Sequence, residues 1–156
     1  MKVEKDFEEF IELLNYHKVK YLIIGAFALS YYTYPRHTGD IDFFIEASGR
    51  NATKILKVLK EFGFESLKLT QKDFIKPNSI IQLGFSPNRI DLITGITAVT
   101  FSRAFKNKVE GKLGKEKVFF ISPKDLLKNK RATKRAKDIA DAEVLMKFLK
   151  IKSKTN

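Results

Sequence analysis

The chain lacks cysteine and tryptophan entirely and has only two histidines among its 156 residues. Without thiols it can form no disulfide, no thiolate-bound zinc site and no cysteine nucleophile. That composition suits a reducing compartment, and the cytoplasm is the expected location. His17 and His37 are far apart in sequence and have no neighbouring partners, so no imidazole metal site is expected. Long apolar runs are absent too. The longest mostly apolar stretch, Tyr21 to Tyr32, falls short of the ~20 residues that span a bilayer. The opening Met1-Lys2-Val3-Glu4-Lys5-Asp6 is charged and has no signal-peptide core, so no membrane role is expected.

Acid is scarce relative to base: 18 Asp and Glu against 30 Lys and Arg, a formal charge of +12. From Ser122 onward there are eleven Lys or Arg and four Asp or Glu, so this stretch carries +7 of that charge. Such a surface is either a solubilising coat or an attraction for phosphate-rich ligands. The 44% hydrophobic content is ample for a core. The length predicts one domain over residues 1–150, with a flexible tail at 151–156.

Apolar periodicity places the elements. Phe7, Phe10, Ile11, Leu13 and Leu14 mark an opening amphipathic helix. Tyr21 to Ile24 reads as a short buried strand, broken by Gly25, with a helix from Ala26 to Tyr32 before Pro35. Ile41 to Ile45 is a second strand, and Asn51 to Phe62 a helix closed by Gly63. Ser79 to Phe85 and Arg89 to Thr94 form a hairpin around Ser86-Pro87-Asn88. Another strand pair is expected within residues 107–121. Ser122-Pro123-Lys124-Asp125 starts a helix, and a last helix covers about 135–149. The class is α+β, a mixed sheet flanked by helices.

Asp40-Ile41-Asp42 opens an apolar strand and sets two carboxylates on one face, because residues two apart on a strand point the same way. Asp91 repeats the anomaly within Ile90-Asp91-Leu92-Ile93. Acid inside apolar strands is costly unless compensated, so the three acids ask for a cation. An all-oxygen set suits magnesium, with manganese as the alternative. Ahead of them, Ile23-Ile24-Gly25-Ala26 runs a strand into a helix at a small-residue turn. A helix N-terminus there offers backbone N–H groups to phosphate.

On Gly25-Ala26, Asp40-Ile41-Asp42 and Asp91 the sequence resembles the nucleotidyltransferase superfamily that includes DNA polymerase beta. The run Arg36-His37-Thr38-Gly39-Asp40-Ile41-Asp42 is similar to that of small prokaryotic members, the AbiEii-like and minimal nucleotidyltransferases. So is the stretch from Ile121 through Lys130 to Asp141. The resemblance implies a nucleotidyltransferase fold and transfer of NMP from an NTP to a hydroxyl by two metal ions. Asp40, Asp42 and Asp91 would be the catalytic and metal-binding residues. Gly25, Ala26, Arg36, Thr38 and Lys130 would bind the nucleotide. Ala26 departs from the usual Gly or Ser: it keeps the backbone N–H and lacks a hydroxyl. Lys130 is expected as an exposed helix cation whose loss weakens binding without unfolding the chain. Asp138 and Asp141 are expected to pair with Lys134, Arg135 or Lys137.

Three functions compete at this point. The first is an active transferase whose acceptor is a protein, an RNA or a small molecule. The second is a catalytically weak module acting through a partner protein in a toxin-antitoxin type system. The third is an RNA-binding protein using the basic C-terminal region. Oligomeric state is not legible.

Overall fold

The computed structural model describes residues 4–35 and 39–155, with side chains as far as Ile151. Arg36 and Thr38, expected to bind the nucleotide, lie outside the described residues, as does His37.

Helix α1 (Lys5–Tyr16) buries Phe7, Phe10, Ile11 and Leu14 along one stripe, as its apolar spacing predicts. Strand β1 (Tyr21–Ile24) is buried at all four positions, so it lies inside the sheet with both faces covered. Helix α2 (Gly25–Tyr32) leaves it directly. Strand β2 (Ile41–Ile45) follows, then α3 (Gly49–Phe62), capped at its start by Ser48 and at its end by Gly63 in the left-handed region. Hairpin strands β3 (Ile80–Leu83) and β4 (Ile90–Ile93) are shorter than the β-rich runs that contain them. Strands β5 (Val109–Leu113) and β6 (Glu116–Phe120) turn at Gly114, whose φ is +60°. Helix α6 (Pro123–Ala132) carries the expected Ser122 cap, and α7 (Ala136–Thr155) is helical into the stretch read as a tail.

Two short helices, α4 (Gln71–Ile75) and α5 (Phe101–Lys106), fall where no periodic pattern stands out. Five or six residues are too few for a helical period to show. The Thr70–Asp73 capping box was the available signal for α4.

The six strands form one mixed sheet in the order β3-β4-β2-β1-β6-β5. β1 pairs antiparallel with β2 and parallel with β6, while β2 pairs parallel with β4. Helix α1 packs on α3 and β6, and α2 packs on β1, β2 and α7. Between α1 and the sheet, Phe10 and Tyr21 meet Phe43 with ring centroids 5.7 and 5.5 Å apart. Each such buried ring contributes a few kcal/mol, on the order of 3–5 for truncation to alanine. This core fixes β2 against β1, and so fixes where Asp42 stands.

Candidate active site

Two pairings assemble the site. β1 and β2 bring Ile24 opposite Asp42, and β2 and β4 bring Asp42 opposite Asp91 in register. The turn at Gly25 is therefore one strand from Asp42, and Asp91 is one strand beyond on the other side. Gly25 has φ +65°, and a β-carbon there would collide with Asp42 Oδ2. Both the backbone conformation and the close approach require glycine. The helix that starts here has Ile24 at its N-cap, which offers no side-chain cap to the first N–H groups. Ala26 sits half-buried in that first turn.

Asp40 lies just before β2. Its carboxylate accepts from the Ser86 hydroxyl at 2.9 Å and from the Arg89 backbone N–H at 3.0 Å. Both donors belong to the β3–β4 hairpin tip, so the turn in the sequence pattern also orients the first catalytic candidate. Asp91 is 6% exposed. Arg89 holds it in a fork: Nε donates to Oδ1 at 2.7 Å and Nη2 to Oδ2 at 3.0 Å. The same guanidinium lies 3.3 Å from Asp40 Oδ2.

Arg89 thus supplies a cation to two of the three acids, Asp40 and Asp91. Sequence reading missed it, although Arg89-Ile90-Asp91 has the same two-residue spacing that paired Asp40 with Asp42. Among the described residues, Asp42 has no such cationic partner. Burial first, then the charge of Asp91 and a hydrogen bond to it, push the Asp42 carboxyl up to about 7, against a smaller lowering by Arg89. Among the described residues, no three acidic or histidine side chains are already spaced to enclose a metal ion.

Asp42 and Gly25 open on a cleft of about 270 Å³ whose far wall includes Gly95, Thr97, Asn129, Lys130, Thr133 and Asp138. Asn129 is anchored to the cleft loop by donating to the Thr97 carbonyl at 3.0 Å. Lys130 does reach the cleft, but not as an exposed cation. It is 7% exposed and lies 3.4 Å from Asp138 and 3.2 Å from Asp141. Asp138 also pairs with Arg135 at 2.9 Å and accepts from Thr133 at 2.7 Å. The expected pairing of Asp138 with Arg135 is present. Lys130 joins both acids because α6 packs against α7, a tertiary contact that spacing along one helix cannot show. Burial of Asp138 works against its ionised form, but Thr133, Lys130 and Arg135 outweigh it and hold its carboxyl below the usual range.

No helix among the described residues is long and apolar enough to cross a membrane. No protein-family model matches the sequence, and no curated protein matches it. The three-dimensional structure does have a likeness. The crystal structure of the lincosamide antibiotic adenylyltransferase LnuA, lincomycin-bound, superposes with a TM-score of 0.58 at 15% identity, over 94% of this chain and 98% of that one. With its mixed six-stranded sheet and flanking helices, the chain has the nucleotidyltransferase fold.

Proposed function

We propose that the protein is a nucleotidyltransferase that moves NMP from an NTP to a hydroxyl acceptor. The observation that carries the reading is the register that sets Asp42 between Asp91 on β4 and the Gly25 turn after β1, with Asp42 and Gly25 opening on one cleft. Asp40, Asp42 and Asp91 would be the residues to hold magnesium or manganese, which their all-oxygen chemistry suits, although they are not already spaced around an ion. Burial and the neighbouring Asp91 charge raise the Asp42 carboxyl, and a bound cation would favour its ionised form. Bound ions would neutralise the triphosphate and polarise its α-phosphate.

The chain's own residues supply the rest. Gly25 lets backbone approach the phosphates, and the first turn of α2 presents N–H groups to them. Arg36 and Thr38 are assigned to the same phosphates on the sequence resemblance. Asp91 serves the acceptor, taking a hydrogen bond from its hydroxyl while Arg89 holds the carboxylate in one orientation. The acceptor oxygen bonds to the α-phosphorus as its hydroxyl proton passes to the Asp91 carboxylate, the α–β anhydride bond breaks, and pyrophosphate leaves. Positioning and charge neutralisation carry most of the rate. LnuA is described as an antibiotic adenylyltransferase, which supports a small-molecule acceptor. The run through Arg36 to Asp42 supports the small AbiEii-like type, where a protein or RNA acceptor is the counterpart.

A second reading is a catalytically weak module that works through a partner protein. Ala26 favours it, since the turn offers no hydroxyl to the outer phosphates.

Thermal melts with each NTP and magnesium test nucleotide binding. Ligand at 100 times its Kd raises stability by about 2.7 kcal/mol. Incubation with α-labelled NTPs, alone and with cell extract, then tests transfer. Absence of binding with every nucleotide defeats the transferase reading; binding without any labelled product favours the second.

A further inference from the structure

At the end of the sheet away from the carboxylates, lysines gather over aromatic rings. Ile24 at one end of β1 faces Asp42, whereas Tyr21 at the other end faces Ile45. Lys20 precedes Tyr21, four residues from Ile24, or about 13 Å along the strand. Here α1, the turn from α1 into β1, β6 and α5 form a groove of about 390 Å³ lined by Asn15, Lys18, Val19, Lys20, Phe105, Lys117 and Phe119.

The ammonium groups are arranged, not scattered. Lys108 Nζ lies 4.3 Å from the Phe105 ring centroid and 5.8 Å from that of Phe119. Lys20 is 5.8 Å from the first ring and Lys117 5.8 Å from the second. Lys108 also donates to the Phe105 carbonyl at 3.4 Å. Three cations are therefore strung across two adjacent rings, their stems resting on apolar surface. Ordering a free lysine costs rotamer entropy, and here part of that cost is already met by the fold. Glu46 and Glu110 accompany Lys20 and Lys117 at 3.6 and 3.0 Å, but Lys18 and Lys108 have no acidic partner among the described residues. The groove keeps a net positive charge on a protein of charge +12.

We propose that this groove binds the phosphodiester backbone of a single-stranded nucleic acid, at a site separate from the catalytic cleft. A row of cations fits a repeating anion better than one isolated phosphate. Concavity argues against a bilayer: Phe105 and Phe119 are partly buried beneath the ammonium groups and cannot insert into lipid. The rings are not free base platforms either. Phe105 stacks on Phe101 at 5.3 Å and has Lys108 over its ring, so the contact is with backbone and tolerates any base.

Labelled oligo(U) and oligo(dT), titrated by fluorescence anisotropy without nucleotide or metal across a salt series, test the proposal. Lys20→Gln/Lys108→Gln/Lys117→Gln should weaken binding at least roughly tenfold at low salt. It should also flatten the log-log salt slope by ~2, since each neutralised phosphate on a single strand contributes ~0.7. Lys20→Gln/Lys117→Gln, which alters only exposed side chains, should flatten it by ~1.4 and guards against a folding defect in the triple variant. Similar binding of both oligomers identifies the phosphodiester as the ligand, and a preference for one names the polymer. The proposal is overturned if neither oligomer binds at low salt. It is also overturned if Lys124→Gln/Lys128→Gln/Arg131→Gln, on α6, weakens binding while the groove variants do not. Groove-dependent capture of phosphatidylserine vesicles without oligomer binding would give the site to membranes instead.

Discussion

Asp91→Asn keeps the shape of the side chain and removes one negative charge from the centre of the site. In the parent, Arg89 donates two hydrogen bonds to this carboxylate, at 2.7 and 3.0 Å. A hydrogen bond to a charged group contributes about 1.5–3 kcal/mol. Asparagine can accept one of the two, and its amide group meets a donor at the other position. One bond is lost, and the survivor is no longer charge-assisted. Against this, repulsion between Asp91 and Asp42 is relieved, and the guanidinium is partly solvated, which reduces the loss. The balance is a destabilisation of about 1–2 kcal/mol in metal-free protein, read by urea unfolding with chelator present. Parental or higher stability would refute the claim that Arg89 compensates Asp91. Pairing with Arg89→Gln in a double-mutant cycle should show a favourable coupling between the two residues. In the transfer assay, the folded Asp91→Asn variant should lose at least roughly 100-fold in rate, with much less loss of NTP binding. Transfer left intact would remove Asp91 from the mechanism.

Three further outcomes are expected. Gly25→Ala forces an unfavourable φ and drives a methyl into Asp42, so NTP binding should vanish and stability fall by at least about 1 kcal/mol, measured by calorimetry and thermal melts. Lys130→Met strands Asp138 and Asp141 without their buried partner and should cost about 1–3 kcal/mol in a urea titration, where an exposed lysine would cost nothing measurable. Asp42 has a folded-state carboxyl raised to about 7, so its ionisation opposes folding as pH rises from about 4 to 7. Asp42→Asn should therefore stabilise the chelator-treated protein at pH 8, with the gain disappearing near pH 4. A gain that is flat with pH would remove the burial argument.

Local sequence determined the elements that carry the site. Gly25 after an apolar strand, Ser122-Pro123 before a helix and Gly63 after one are chemical stops and starts that act within a few residues. Asp40-Ile41-Asp42 was legible because a strand repeats every two residues, and Asp91 because an acid among Ile and Leu is out of place. Tertiary structure alone decided how these pieces meet. β2 and β4 lie parallel and adjacent, which puts Asp42 and Asp91 side by side although a whole helical layer separates them in the chain. Packing of α6 on α7 turned Lys130 from a surface charge into a buried partner of two acids. The lysine groove joins residues from α1, the α1–β1 turn, α5 and β6 and has no trace in any single stretch. The division has one physical cause. Caps and strand periodicity depend on bonds between near neighbours, whereas the neutralisation of a charge depends on which distant side chain the packed core leaves within about 3 Å.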